Sequence, residues 1–138
     1  MEAIAHLQFG DNDSGMYNKS YPIVRCHTHL SKGYSSHNVT SDAYCECIEV
    51  TVVAPTNRDL ELQEWFLSGT PRTGRISYSL IDVNGVGGNI KDRTIMFEDA
   101  QCCRLSEDYD IANNNLRLLT VAFVPKVCQV DQNKYILQ

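Results

Sequence analysis

The stretch CIEVTVV, Cys47 to Val53, alternates strictly: Ile48, Val50 and Val52 fall on one side of an extended chain, Glu49 and Thr51 on the other. The same period of two recurs in AIAHLQF (Ala3 to Phe9), YPIVRCHTHL (Tyr21 to Leu30), RISYSLIDV (Arg75 to Val83), TIMFEDAQCCRL (Thr94 to Leu105) and LRLLTVAFVPKVCQV (Leu116 to Val130). Strands that bury one side must be covered on that side. The pattern therefore predicts a mainly β fold, a two-sheet barrel or sandwich. Turn formers punctuate it: GDNDSG closes the first strand, and NGVGGN (Asn84 to Asn89) reads as a glycine-rich hairpin connection. SKGYSSHNVTSD, Ser31 to Asp42, reads as a long polar loop without regular structure.

One segment breaks the alternation. In LQEWFLSGTPRTGRISY, residues 62 to 78, Leu62, Trp65 and Phe66 fall at i, i+3 and i+4 and make one apolar stripe of a helix. The helix is expected over about residues 57–68, capped by Thr56 or Asn57, with Asp59 and Glu61 at its positive end. Gly69 supplies a left-handed stop, and Gly74 a turn into the next strand. The Trp65–Phe66 pair is expected to pack the helix onto the sheet.

Several classes of function drop out. Twelve basic and seventeen acidic side chains leave a net charge of −5 without a basic stripe, which disfavours nucleic acid as a partner. No apolar run reaches the length that spans a bilayer. The start, MEAIAHLQFGDNDSG, lacks the basic and apolar regions of a secretory signal, so folding in the cytoplasm is expected. In that setting the NVT triplet at Asn38 to Thr40 reads as polar loop. The six cysteines (Cys26, Cys45, Cys47, Cys102, Cys103 and Cys128) contain no CxxC pair and read as free, packed thiols. Cys45 and Cys47 would share a strand face, whereas Cys102 and Cys103 would point oppositely.

The sharpest chemical alternative is zinc. His27 and His29 share a face and, with Cys45 and Cys47 on a neighbouring strand, supply the right ligand types. Against it, Val24, Cys26, Thr28 and Leu30 form the more apolar face, which leaves the histidines beside Arg25 on a solvated or interface face. Glu98 and Asp99, like Glu107 and Asp108, point oppositely along a strand, and no GxSxG, HExxH or Cys-His signature is present. The glycine cluster lacks phosphate-loop spacing. The residues point to a protein without catalysis, metal or cofactor.

The order of these pieces resembles the haemolysin-coregulated protein (Hcp, or TssD), the tube subunit of type VI secretion systems, in its Bacteroidetes branch. LQEWFLSGTPRTGRISY is similar to that branch's Leu-x-x-Trp-hydrophobic-Leu-Ser-Gly helix, Gly turn and following strand. MFEDAQCCRLSEDYD resembles its Phe-x-x-Ala-x-Cys-x-x-x-Ser-Glu strand, and Cys26 falls where the family has a Cys in an early strand. IEVTVVAP resembles the third strand and LRLLTVAF the closing one, so the likeness runs from about Tyr17 to Val130.

The resemblance implies one domain over residues 1–138, a two-sheet β-barrel with one helix at its side. It also implies six copies closing into a ring and rings stacking into a tube. A contractile sheath drives such a tube, with a spike protein (VgrG) and effectors, out of the cell. Export would then follow assembly in the cytoplasm, without a signal peptide or membrane insertion. The structural motif would be Leu62, Trp65, Phe66, Leu67, Ser68, Gly69 and Gly74. The inter-subunit loop would be Ser31, Lys32, Gly33, Tyr34, Ser35, Ser36, His37 and Asn38. Alternatives are a monomeric ligand-binding barrel and a specialised paralogue acting as an effector carrier.

Overall fold

The computed structural model describes residues 5–56, 58–81, 90–131 and 133–137, and there the alternating stretches are strands, the last of them broken at Pro125 and Lys126. In chain order the elements are β1 (Ala5–Asp11), β2 (Met16–Ser31), β3 (Tyr34–Ser35), β4 (Asn38–Val39), β5 (Tyr44–Val53), α1 (Glu61–Ser68), β6 (Arg72–Ile81), β7 (Ile90–Asp110), β8 (Leu116–Val124), β9 (Val127–Val130) and β10 (Asn133–Ile136). The connection NGVGGN lies outside the described residues. The strands on either side of it pair antiparallel from Arg72–Ala100 to Ile81–Ile90.

Two strands are long enough to serve both sheets. β2 pairs with β1 as far as Pro22, then with β5 from Ile23 to Ser31. β7 pairs with β6 as far as Ala100, then with β8 from Gln101 to Asp110. The β5–β8 pairing closes the circuit β7-β6-β1-β2-β5-β8-β7. Closure leaves few strand edges free, which a lone β domain otherwise has to protect. The β9–β10 hairpin extends the sheet from the other side of β7. Its outer strand was not expected, because NKYI is short and polar.

Two bulges shift faces that alternation alone assigns wrongly. Val24 is an extra residue in β2, since Ile23 pairs with Val52 and Arg25 with Thr51. Ile23 and Cys26 therefore pack on the core, while Val24 and Leu30 are exposed rather than inward. In β5 the extra residue is Glu46, since His29 pairs with Cys47 and Leu30 with Cys45. Cys45 and Cys47 thus do not share a face: Cys45 is buried and Cys47 is not. The loop at Ser31 to Asp42 is also more ordered than expected, because β3 and β4 pair as a small hairpin. At the β7–β8 turn, Asn114 and Asn115 both take left-handed φ (55° and 56°), and Leu116 N–H donates to the Asn113 carbonyl (3.0 Å). Asn tolerates that region of φ better than most residues.

The helix starts at Glu61, four residues later than expected. Leu60 occupies the N-cap without a side-chain hydrogen bond, and Thr56 instead accepts the Asp59 N–H through its carbonyl (2.9 Å). Asn57 lies outside the described residues. Asp59 does the capping work, its Oδ1 accepting the Glu61 N–H (3.1 Å). Gly69 ends the helix at φ 69°, as expected. Gly74 is no turn: it sits inside β6, where a Cβ would press into the Gln8 carbonyl and the Phe97 ring.

Leu62 and Trp65 face inward, but Phe66 is 39% exposed, so only half of the aromatic pair plugs the barrel. At 100° per residue Phe66 lies on the flank of the narrow arc centred between Leu62 and Trp65. Trp65 meets Phe9 edge-on (5.2 Å between centroids) and Phe123 at a tilt (5.0 Å), and Phe97 packs on Phe123 (4.7 Å). Its Nε1–H donates to the Ala100 carbonyl (3.0 Å), at the residue where β7 leaves β6 for β8. Trp65→Ala should therefore cost about 3–5 kcal/mol. Phe66→Ala should cost no more than about 1 kcal/mol. Denaturant midpoints compare the two, and equal losses would mean that both rings are buried.

Candidate assembly surface

The loop between β2 and β5 projects as a hairpin with a braced base. Gly33 N–H donates to Ser41 Oγ (2.5 Å), and Thr40 N–H donates to the Gly33 carbonyl (2.7 Å). Gly33 is needed there, because a Cβ would meet Ser41 and Thr40 side chains at 3.0 Å or less. Tyr34 and Val39 are register partners, and they are 78% and 62% exposed. Lys32, Ser35, Ser36, His37 and Asn38 are exposed around them, with Ser31 half-buried at the root. An aromatic and an aliphatic side chain held out on a polar hairpin can bury themselves only against another molecule.

The expected helix motif divides in two. Leu62, Trp65, Gly69 and Gly74 build the fold, whereas Phe66, Leu67 and Ser68 lie outside, Leu67 at 79% exposure. Other exposed apolar side chains sit at turns: Met16 after the β1–β2 turn, and Tyr109 and Ile111 around the β7–β8 turn. These were not singled out from sequence. The available signal was an apolar residue set among turn formers, as in DSGMY and DYDIANN.

A charged cluster fixes the helix against the barrel. Asp59 accepts the Lys19 ammonium (2.9 Å) and the hydroxyl of the buried Tyr21 (3.2 Å to either oxygen). Arg72 reaches Glu61 (3.2 Å) while lying over the Phe9 ring, 4.0 Å from its centroid. Burial works to raise the Asp59 pKa, but Lys19, the Glu61 N–H and the Tyr21 hydroxyl outweigh it and hold the carboxyl below its ordinary 3.8. Burial, then the Asp59 charge, pushes the Tyr21 phenol up, so it remains a donor at neutral pH.

The proposed zinc ligands are not brought together. His27 and His29 stack face to face (4.1 Å, 4°), opposite Glu49 and Cys47, whereas Cys45 is turned into the core. Among the described residues no group of three or more His, Cys, Asp or Glu side chains is placed to hold a metal ion. All six cysteines are unbridged. Glu107 is engaged by Arg117 (2.6 Å). A groove of about 600 Å³ opens between the C-terminal half of β2 and the β6–β7–β9 sheet, over Ile23, Cys26, Ile76, Tyr78 and Ile95.

The class defined by this geometry is a closed β-barrel plugged by one short helix, with a hairpin standing off it. The sequence matches no family model and no curated protein. Solved structures do match. Hcp1 from Flavobacterium johnsoniae shares 13% identity at a TM-score of 0.69, over 97% of this chain and 99% of that one. Hcp1 from E. coli EAEC 042 shares 10% identity at 0.65, over 97% of each. A type VI secretion system effector from Yersinia pestis shares 12% identity at 0.59, over 97% of this chain and 91% of that one. At such identities the likeness establishes architecture: this chain has the Hcp fold.

The Asp59 cluster makes stability depend on acid. A carboxyl whose folded pKa lies below its ordinary value adds stability above 3.8 and loses it as pH falls through the folded value. Asp59→Asn should lower the denaturant midpoint at pH 7, and the gap to the native sequence should close as pH drops below about 4. A gap that stays constant down to pH 2 would mean that the Asp59 charge contributes nothing.

Proposed function

We propose that this protein is a tube subunit of a type VI secretion system, assembling as a six-membered ring whose copies stack into a conduit for effectors. The observation that supports it most is the match across almost the whole of both chains, 97% here and 99% in Flavobacterium johnsoniae Hcp1. On this reading the work is mechanical, and no side chain has to do chemistry. The partners are other copies of the chain, a spike protein of the VgrG type at the tip, the contractile sheath outside and effectors inside. Export follows with the tube.

The molecule's surface is consistent with that role. A closed barrel folds before it assembles, so contacts between copies must come from projecting parts. The β3–β4 hairpin with Tyr34 and Val39, and the turns carrying Met16, Tyr109 and Ile111, are such parts. A second reading, a monomeric ligand-binding barrel, is favoured by the groove of about 600 Å³, a volume within the range of small-molecule sites.

Tyr34→Asp tests the part of the hairpin in assembly. The side chain is largely exposed, so the substitution should leave the thermal midpoint of the subunit unchanged. Light scattering over a concentration series should show assembly weakened or lost. Assembly equal to that of the native sequence would remove the hairpin from the interface.

A further inference from the structure

Cys45 and Cys128 come from opposite sheets and meet in the core. Cys45 is near the start of β5, at the end of the projecting loop, and Cys128 is in β9, paired with Phe97 on one side and Tyr135 on the other. They are 2% and 0% exposed, belong to one buried cluster, and their thiols lie close enough to interact. β5 packs directly on β9 and β10, and Asp42 and Ala43 at the loop base share a crevice with Lys134, Tyr135 and Ile136. We propose that Cys45 and Cys128 are an oxidation site, forming a disulfide that latches the base of the Ser31–Asp42 loop to the C-terminal β9–β10 hairpin.

The other thiols are poorly placed to compete. Cys47 on β5 and Cys103 on β7 are separated by β8, so two strand spacings (about 9.5 Å) lie between their backbones. That exceeds the roughly 7 Å a disulfide spans. Cys102 and Cys103 are successive residues, one buried and one exposed. Cys26 is paired with Val50 on β2–β5.

The path to oxidation is a local opening. While the core is closed both thiols are buried and out of reach of a dissolved oxidant. β9 and β10 are four residues each, and among the described residues β10 is a short outer strand that pairs only with β9, so opening of this hairpin starts at β10. When it lifts, one thiolate attacks oxidised glutathione, forming a mixed disulfide and releasing one glutathione. The second thiol displaces the other glutathione. Two protein thiols and one glutathione disulfide become one protein disulfide and two glutathiones, so electrons and protons balance.

The folded protein is incubated with oxidised glutathione, quenched in acid, denatured, alkylated with iodoacetamide and mapped by peptide mass. Two of the six thiols should escape alkylation, in a cross-linked peptide joining Cys45 to Cys128. Six alkylated thiols, stable glutathione adducts without a bridge, or a bridge between other cysteines would overturn the proposal. Hydrogen exchange over Val127 to Ile136 tests the latch. It should slow in the oxidised form, and unchanged exchange would mean that the bridge fixes nothing. Cys128→Ala should abolish the bridge, and should that variant not fold, the map of the native sequence decides alone.

Discussion

The hydrogen bond from the Trp65 indole to the Ala100 carbonyl is the constraint on which the barrel depends. β7 changes partner at Ala100, and a strand that leaves one sheet for another frees a backbone group in the core. Left without a donor, that carbonyl would cost about 1–3 kcal/mol. The indole, 1% exposed, supplies the donor from a helix that is not part of either sheet. The carbonyls before it are also engaged: Phe97 by Asn12 Nδ2 (3.2 Å) and Glu98 by the Lys126 N–H (3.0 Å). Asp99, at φ 50°, turns the chain between them.

From that corner the rest follows. The ring of Trp65 fills the space between Phe9 and Phe123, so one side chain both bonds the bend and packs the two sheets. Lys19, Asp59, Glu61 and Arg72 then hold the helix at the angle the indole requires. Because the strands close on themselves, little of the sheet is left for edge-to-edge association. Among the described residues, the features that remain free to meet other copies include a hairpin, a helix face and two turns. In the tube reading, folding and assembly therefore use different side chains, which lets a subunit fold alone and still join a ring.

Much of this was legible in the sequence. Ile48, Val50 and Val52 were placed on the buried face by alternation alone, and all three are fully buried. Trp65 and Gly69 were placed by helical spacing and by the need for a left-handed stop. Two of the misreadings come from single residues that change phase. The bulge at Val24 turns that side chain out of the face it was assigned to, and the bulge at Glu46 separates the faces of Cys45 and Cys47. Alternation cannot reveal a bulge, because the extra residue is fixed by its partner strand. The helix start was missed for a similar reason, since Asp59 is held by Lys19, forty residues earlier in the chain, and by Tyr21. The surface was the least legible part: Tyr34 was placed in the projecting loop, but the exposure of Met16, Tyr109 and Ile111 at turns was not read.

The central claim is that the folded subunit closes into a ring, and native mass spectrometry of the purified protein tests it most directly. The account predicts a dominant species at six times the 15.6 kDa chain mass, which dissociates without passing through a ladder of open oligomers. A single 15.6 kDa species at every concentration would contradict it and leave a monomeric barrel with an open groove in its place.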